Sequence, residues 1–187
     1  EIASRMAMET FTEVLPDLLT GEHLTPPFSL TQDVDPNLSA LRYSITLSNQ
    51  KIVNAAAQNP SLTGMGTTIT ALLLSRDTAY LAHVGDSRAY LFRSGTLKQI
   101  TTDHSYVAEQ IKAGRLTSEQ ARTNPYRHII TRAVGIDREV AVDHATLPLQ
   151  KNDTFLLCTD GLTELVENGD IAAVLARTTP EAVVEEL

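Results

Sequence analysis

Residues 67–100, TTITALLLSRDTAYLAHVGDSRAYLFRSGTLKQI, decide the architecture. Thr67 to Leu74, Tyr80 to Val84, Ala89 to Phe92 and Leu97 to Ile100 are short runs rich in β-branched, aliphatic and aromatic residues. They read as four strands. Arg76-Asp77-Thr78, Gly85-Asp86-Ser87 and Ser94-Gly95-Thr96 separate them and read as tight turns. Connections this short join antiparallel neighbours, because a parallel pair needs a crossover of about a dozen residues. The stretch therefore predicts an antiparallel meander, not a doubly wound sheet.

Upstream, residues 1–20 predict an amphipathic helix, with Ile2, Met6, Phe11, Val14 and Leu18 near helical spacing. Pro16 is expected to end or kink it. Gly21 to Pro36 is turn-rich, punctuated by Pro26-Pro27 and Asp35-Pro36. A second helix is expected from about Asn37 to Gln58, with Leu38, Leu41, Ile45, Ile52 and Val53 facing inward. Downstream, residues 103–136 form a polar, helix-prone insertion. Thr117-Ser118-Glu119-Gln120 resembles a capped helix start there, and Asn124-Pro125 breaks the helix. Strands resume at Glu139 to Leu147 and Thr154 to Cys158, and Asp160-Gly161 leads into short helices at about Leu162–Val166, Gly169–Ala176 and Pro180–Leu187. Sheet in the middle with helices at both ends predicts an α+β fold with helices covering the sheets, in one domain over residues 1–187.

Composition narrows the function. Of 187 residues, 42% are hydrophobic and 20% charged, which is ordinary for a globular chain. Fifteen basic residues against 23 acidic give a net charge of −8, which repels phosphate backbones and argues against nucleic acid as a partner. No apolar run approaches the roughly 18 residues of a membrane span. Cys158 is the only cysteine, so an internal disulfide and a cysteine-built zinc site are excluded. The expectation is a soluble domain of the cytoplasm. The chain opens at Glu1 without an initiator methionine or a leader, and closes at Glu185-Glu186-Leu187 in what reads as a helix, so both ends read as cut from something longer.

Several familiar sites are missing. His23, His83, His104, His128 and His144 contain no i, i+4 pair for a helix-borne zinc site. Gly64-Met65-Gly66 lacks the third glycine of a dinucleotide fingerprint, and Ser48-Asn49-Gln50-Lys51 matches Ser-x-x-Lys without its partner motifs. Two aspartates stand out instead. Asp160 follows the apolar Phe155-Leu156-Leu157-Cys158-Thr159 and precedes a glycine, so it is presented at a sheet rim. The competing reading is a helix N-cap for Leu162 onward. Asp86 lies between two apolar strands, where a hairpin turn would hold Asp in any case. Carboxylates without histidine or thiolate partners favour hard cations such as magnesium or manganese. Arg88 reads as a solvated hairpin residue, and His104 and Ser105 as local caps.

Val84-Gly85-Asp86-Ser87-Arg88-Ala89-Tyr90 together with Leu157-Cys158-Thr159-Asp160-Gly161-Leu162 resembles the metal-dependent protein phosphatases, the type 2C family in its bacterial form. Gly64-Met65-Gly66-Thr67-Thr68, Asp103-His104-Ser105, Asn124-Pro125 and Ile130-Thr131-Arg132-Ala133 extend the match in the family's order from Gly64 to Leu187. The resemblance implies a four-layer helix–sheet–sheet–helix sandwich of two antiparallel sheets, incomplete here, with residues 103–136 as a flap beside the site. It implies hydrolysis of phosphoserine and phosphothreonine in proteins by a water activated between two Mn2+ or Mg2+ ions. By motif, Asp160 matches a ligand of the cation pair, Asp86 a ligand of an additional cation that shares Asp160, and Glu164 a residue assisting there.

The departures are as specific as the match. The family's upstream Arg and Glu-Asp segment and its Asp-Gly-x-Gly-Gly loop do not occur, and its downstream Asp-Asn would fall after Leu187. Of the core ligands only Asp160 remains, so this chain alone is expected to be inactive or weak while its parent is active. Missing strands are expected to leave open sheet edges. Phosphorylated proteins are the implied partners, with a cognate Ser/Thr kinase supplying them. Two alternatives stand beside the enzyme: a phosphatase-like regulatory or binding module without catalysis, and a sibling phosphatase acting on an anti-sigma-type regulator.

Overall fold

The computed structural model describes residues 1–20, 35–177 and 179–187. Most of the turn-rich stretch expected after Thr20 lies outside them. Helix α1 (Ile2–Thr20) packs against α2 (Pro36–Gln58) through Ala3, Ala7, Leu38, Leu41, Ile45 and Ile52, all buried. Pro16 does not end α1, which continues to Thr20. Its missing N–H removes one backbone bond, while the buried face through Ala3, Ala7, Thr10 and Val14 holds the helix on its neighbour. Helix α2 starts at Pro36, behind an Asp35 cap that accepts the Asn37 N–H at 2.8 Å.

Strands β1 (Ile69–Ser75) and β2 (Thr78–Val84) form a hairpin, as do β3 (Arg88–Arg93) and β4 (Thr96–Gln99). Ser94 and Gly95 both take positive φ in the second turn, the backbone twist that suits a two-residue hairpin. Helices α3 (Tyr106–Lys112) and α4 (Ser118–Arg122) follow, then β5 (Asp143–Pro148) and β6 (Thr154–Cys158). Helices α5 (Asp160–Thr163), α6 (Asn168–Arg177) and α7 (Pro180–Glu186) complete the described chain.

The expected meander is corrected at its centre. One sheet has the order β1-β2-β5 and the other β4-β3-β6, so β2 and β3 do not pair. Gly85-Asp86-Ser87 carries the chain from the first sheet to the second. The physical reason lies in Gly85, whose φ is +115° and where a Cβ would stand 2.2 Å from Thr68 Cγ2. Only glycine lets the backbone leave β2 in that direction beside Thr68. The later strands β5 and β6 then take the places that a meander would have given to β3 and β2.

The fold is α+β, with helices on two antiparallel sheets. Tyr80, Ala82 and Val84 of β2 join the core of α1 and α2, while Ala79, Leu81 and His83 are buried on the opposite face. Phe92, Leu97 and Leu156 pack under Ile171, Val174, Leu175 and Val183 of α6 and α7, and Ala89 and Leu91 are buried on the far side of β3. Both central strands are thus covered on both faces, the sandwich arrangement. Arg93 of β3 donates to the carbonyl of Pro148 in β5 at 2.8 Å and ties the layers at their edge.

The insertion of residues 103–136 holds α3 and α4, and its two ends meet. Ser105 bridges Ile130, and the Thr131 N–H donates to the His104 carbonyl at 2.8 Å. Ser105 caps α3, and Thr117 with Gln120 forms the capping box expected at α4. Asn49 pins the far end of this segment: its side chain accepts from Gly135 N–H at 2.6 Å and donates to the carbonyls of Asp137 and Arg138. The Ser-x-x-Lys match is absorbed structurally, since Ser48 donates to Ser44 O at 2.8 Å and Lys51 pairs with Glu13. Among the described residues no helix is long and apolar enough to cross a membrane.

Candidate functional site

Asp86 and Asp160 meet at the end of the second sheet. The β3–β6 ladder pairs Arg88 with Cys158 in antiparallel register. The ladder ends there, and just past its end the Asp160 charge acts on the Asp86 carboxyl. Burial pushes the Asp86 carboxyl above its ordinary range, and the neighbouring Asp160 charge adds to the rise. Two like charges held close together oppose folding. A positive charge between them would relieve both effects.

Neither competing reading of these aspartates is realised. Asp160 is the first residue of α5, not its cap; Thr159 takes the cap position and makes no capping bond. The Asp160 carboxylate is exposed and accepts no hydrogen bond among the described residues. Asp86 occupies the passage between two sheets, not a hairpin tip.

Glu164 points to another partner. Its carboxylate lies 2.7 Å from His128 Nδ1, linking α5 to the inserted segment. Arg88 is not a solvated residue either. It grips Asp103 through Nε and Nη2, at 2.9 and 2.6 Å, and donates to the Tyr90 hydroxyl. Burial opposes the Arg88 charge, but the Asp103 contact more than offsets it and holds the guanidinium above its ordinary range. Asp103 also accepts from Gln99 Nε2 at 2.9 Å, so neither of these charges is free for a ligand.

Among the described residues no group of three or more His, Cys, Asp or Glu could hold a metal ion. The hard oxygens of Asp86 and Asp160 fit part of the shell of a magnesium or manganese ion, which prefers carboxylate, carbonyl and water. They do not complete one.

Beside this pair lies a buried polar cluster that the sequence reading missed. His83 of β2 stacks on His104 with ring centroids 4.8 Å apart. His83 Nδ1 meets Thr70 Oγ1 at 3.0 Å, while its buried Nε2 has no partner. His104 is not a cap. Its Nδ1 accepts the Gly85 N–H at 3.0 Å, and its Nε2 lies 3.1 Å from Asp143, which Arg132 also holds. The signal available was the place of His83 inside an apolar strand, which is buried on both faces.

Burial, reinforced by the His104 charge, pushes the His83 pKa down to about 4. The unfolded chain binds this proton near pH 6.5 and the folded chain only near 4, so stability is full above about 6.5 and falls as pH drops through that window. The loss attributable to His83 is expected to reach about 3 kcal/mol. Asp86, with its raised pKa, works in the opposite direction. Urea unfolding of wild type and His83→Phe at pH 7, 5.5 and 4.5 measures it; equal slopes in the two proteins would contradict the assignment.

Residues 1–185 match the family model described as protein phosphatase 2C. The serine/threonine phosphatase stp of Listeria welshimeri is 35% identical over 178 residues, which are 94% of this chain and 66% of that protein. The chain therefore spans just under two thirds of that relative. The crystal structure of the Mycobacterium tuberculosis serine/threonine phosphatase PstP/Ppp superposes with a TM-score of 0.81 at 31% identity, covering 99% of this chain and 74% of the other. A structure of the catalytic domain of the serine/threonine protein phosphatase PstP in complex with two manganese ions superposes at 0.80 with 28% identity, covering 100% of this chain and 72% of the other.

Proposed function

The chain belongs to the protein phosphatase 2C family, and on that premise we propose that it forms part of an enzyme hydrolysing phosphoserine and phosphothreonine in proteins with Mn2+ or Mg2+. The observation that carries this reading is the neighbouring pair Asp86 and Asp160, where burial first and then the Asp160 charge raise the Asp86 carboxyl. Bound divalent cations would acidify a water and neutralise phosphoryl charge. Asp160 and Asp86 would hold them. Arg88, locked on Asp103, keeps the β3 end of the site in place and does not reach for substrate phosphate. A role for Glu164 requires its pairing with His128 to open. The single domain, residues 103–136 as a flap, phosphoprotein substrates, a cognate kinase and a cytoplasmic setting belong to the same proposal.

A second reading is a phosphatase-like module without catalysis that recognises phosphorylated partners through residues 103–136. Two carboxylates hold a hydrated dication weakly, so the 187-residue chain by itself is expected to turn over at least about a hundredfold more slowly than a protein of full family length containing it. Manganese-dependent phosphate release from a phosphothreonine peptide, with and without chelator, compares the two. Turnover by the short chain at a rate near the long one would refute its weakness. Silence of the long one would refute the enzyme and favour the module.

A further inference from the structure

We propose that His104 is a positioning residue that sets the backbone of Asp86 for cation binding, an inference that rests on the Asp86–Asp160 reading above. His104 holds Gly85, the residue before Asp86, from both sides. Its ring Nδ1 accepts the Gly85 N–H at 3.0 Å, and its own backbone N–H donates to the Gly85 carbonyl at 2.8 Å. No other described residue grips both polar atoms of that crossover. The grip matters because Gly85 has a φ that side-chain-bearing residues rarely adopt, so the crossover has little intrinsic preference for its geometry.

The ring is itself held in orientation. His104 is buried, stacks on His83 and presents Nε2 to Asp143 at 3.1 Å. Because the Gly85 N–H donates to Nδ1, the neutral ring places its proton on Nε2, which faces both Asp143 Oδ2 at 3.1 Å and Arg132 Nη1 at 2.9 Å. Arg132 Nη1 also lies 2.6 Å from Asp143 Oδ1. The His104 carbonyl receives the Thr131 N–H at 2.8 Å. One residue therefore couples three places, the Asp86 crossover and strand β5 through its ring and the root of the inserted segment through its backbone. This follows the general pattern in which groups behind a ligand fix its orientation.

The test contrasts two substitutions that remove the same ring. His104→Asn keeps an acceptor near the position of Nδ1, and His104→Gln moves its polar atoms out towards Nε2. Loss of packing on His83 is common to both, so their difference isolates the Gly85 contact. Amide hydrogen exchange of Gly85 is expected to accelerate at least about tenfold more in His104→Gln than in His104→Asn. Mn2+ affinity, read by electron paramagnetic resonance, is expected to weaken about tenfold in His104→Gln and to stay near wild type in His104→Asn. Equal exchange and equal affinity in the two variants would overturn the proposal. The wild-type ring supplies a readout that needs no variant: nitrogen-15 shifts at pH 7 are expected to show Nδ1 unprotonated and Nε2 protonated, and the opposite tautomer would overturn it. Absence of Mn2+ binding by wild type, with the exchange contrast intact, would instead strike the cation reading and leave the Gly85 grip standing.

Discussion

Replacing Asp160 with asparagine, in a protein of full family length containing this chain, is expected to lower manganese-dependent phosphatase turnover by at least about a hundredfold. The side chain keeps its shape and loses its charge, and charge is what a hard cation requires from this position. The same substitution is expected to leave folding intact or to stabilise the metal-free chain by about 0.5 kcal/mol, because it removes a like charge acting on Asp86 near the surface. Its sign separates site from scaffold. The Asp86 carboxyl, raised first by burial and then by Asp160, should move back towards its ordinary range once the neighbouring charge is gone. Turnover and urea midpoint measured on the same preparations decide the matter. Undiminished hydrolysis by Asp160→Asn would remove it from the cation site, and a large fall in stability would make it a structural residue.

The second large effect is expected at Gly85. In Gly85→Ala the new Cβ would stand 2.2 Å from Thr68 Cγ2, 2.5 Å from Thr68 Cβ and 3.1 Å from its Cα, on a backbone with φ +115°. The clash involves a β carbon and backbone, not the far end of a flexible side chain, so relief requires moving β1 or the crossover. Strain and steric conflict together are expected to cost about 3–5 kcal/mol, a large share of a domain's stability. Gly95 serves as the control. Its φ is +79° and nothing lies within 4 Å of a Cβ there, so Gly95→Ala should cost only about 1 kcal/mol, the conformational part alone. Urea unfolding of both variants tests the contrast. A Gly85→Ala protein as stable as Gly95→Ala would mean that the crossover beside Thr68 is not as tight as described.

Much of the local structure was legible. The two long helices, the strand runs and the cap of α4 follow from apolar spacing and from Thr117 and Gln120, whose partners lie within a few residues. The fold class was legible too, through strand lengths and motif order. Where the reading failed, the deciding contact was remote. Arg88 looked solvated because its partner Asp103 is 15 residues away. His104 looked like a cap because the Gly85 amide it receives is 19 residues away. The pairing of Glu164 with His128 was out of the sequence's reach for the same reason, since the two sit in different segments.

The order of residues alone determined which segments would be helix or strand and which acidic groups would stand at strand ends, because those choices rest on periodicity, propensity and neighbours along the chain. Tertiary structure decided that β2 and β3 part into separate sheets and that Asp86 comes close to the distant Asp160. Pairing between remote strands depends on what each face can bury and on the one direction a crowded glycine allows. That information exists only once the layers have met.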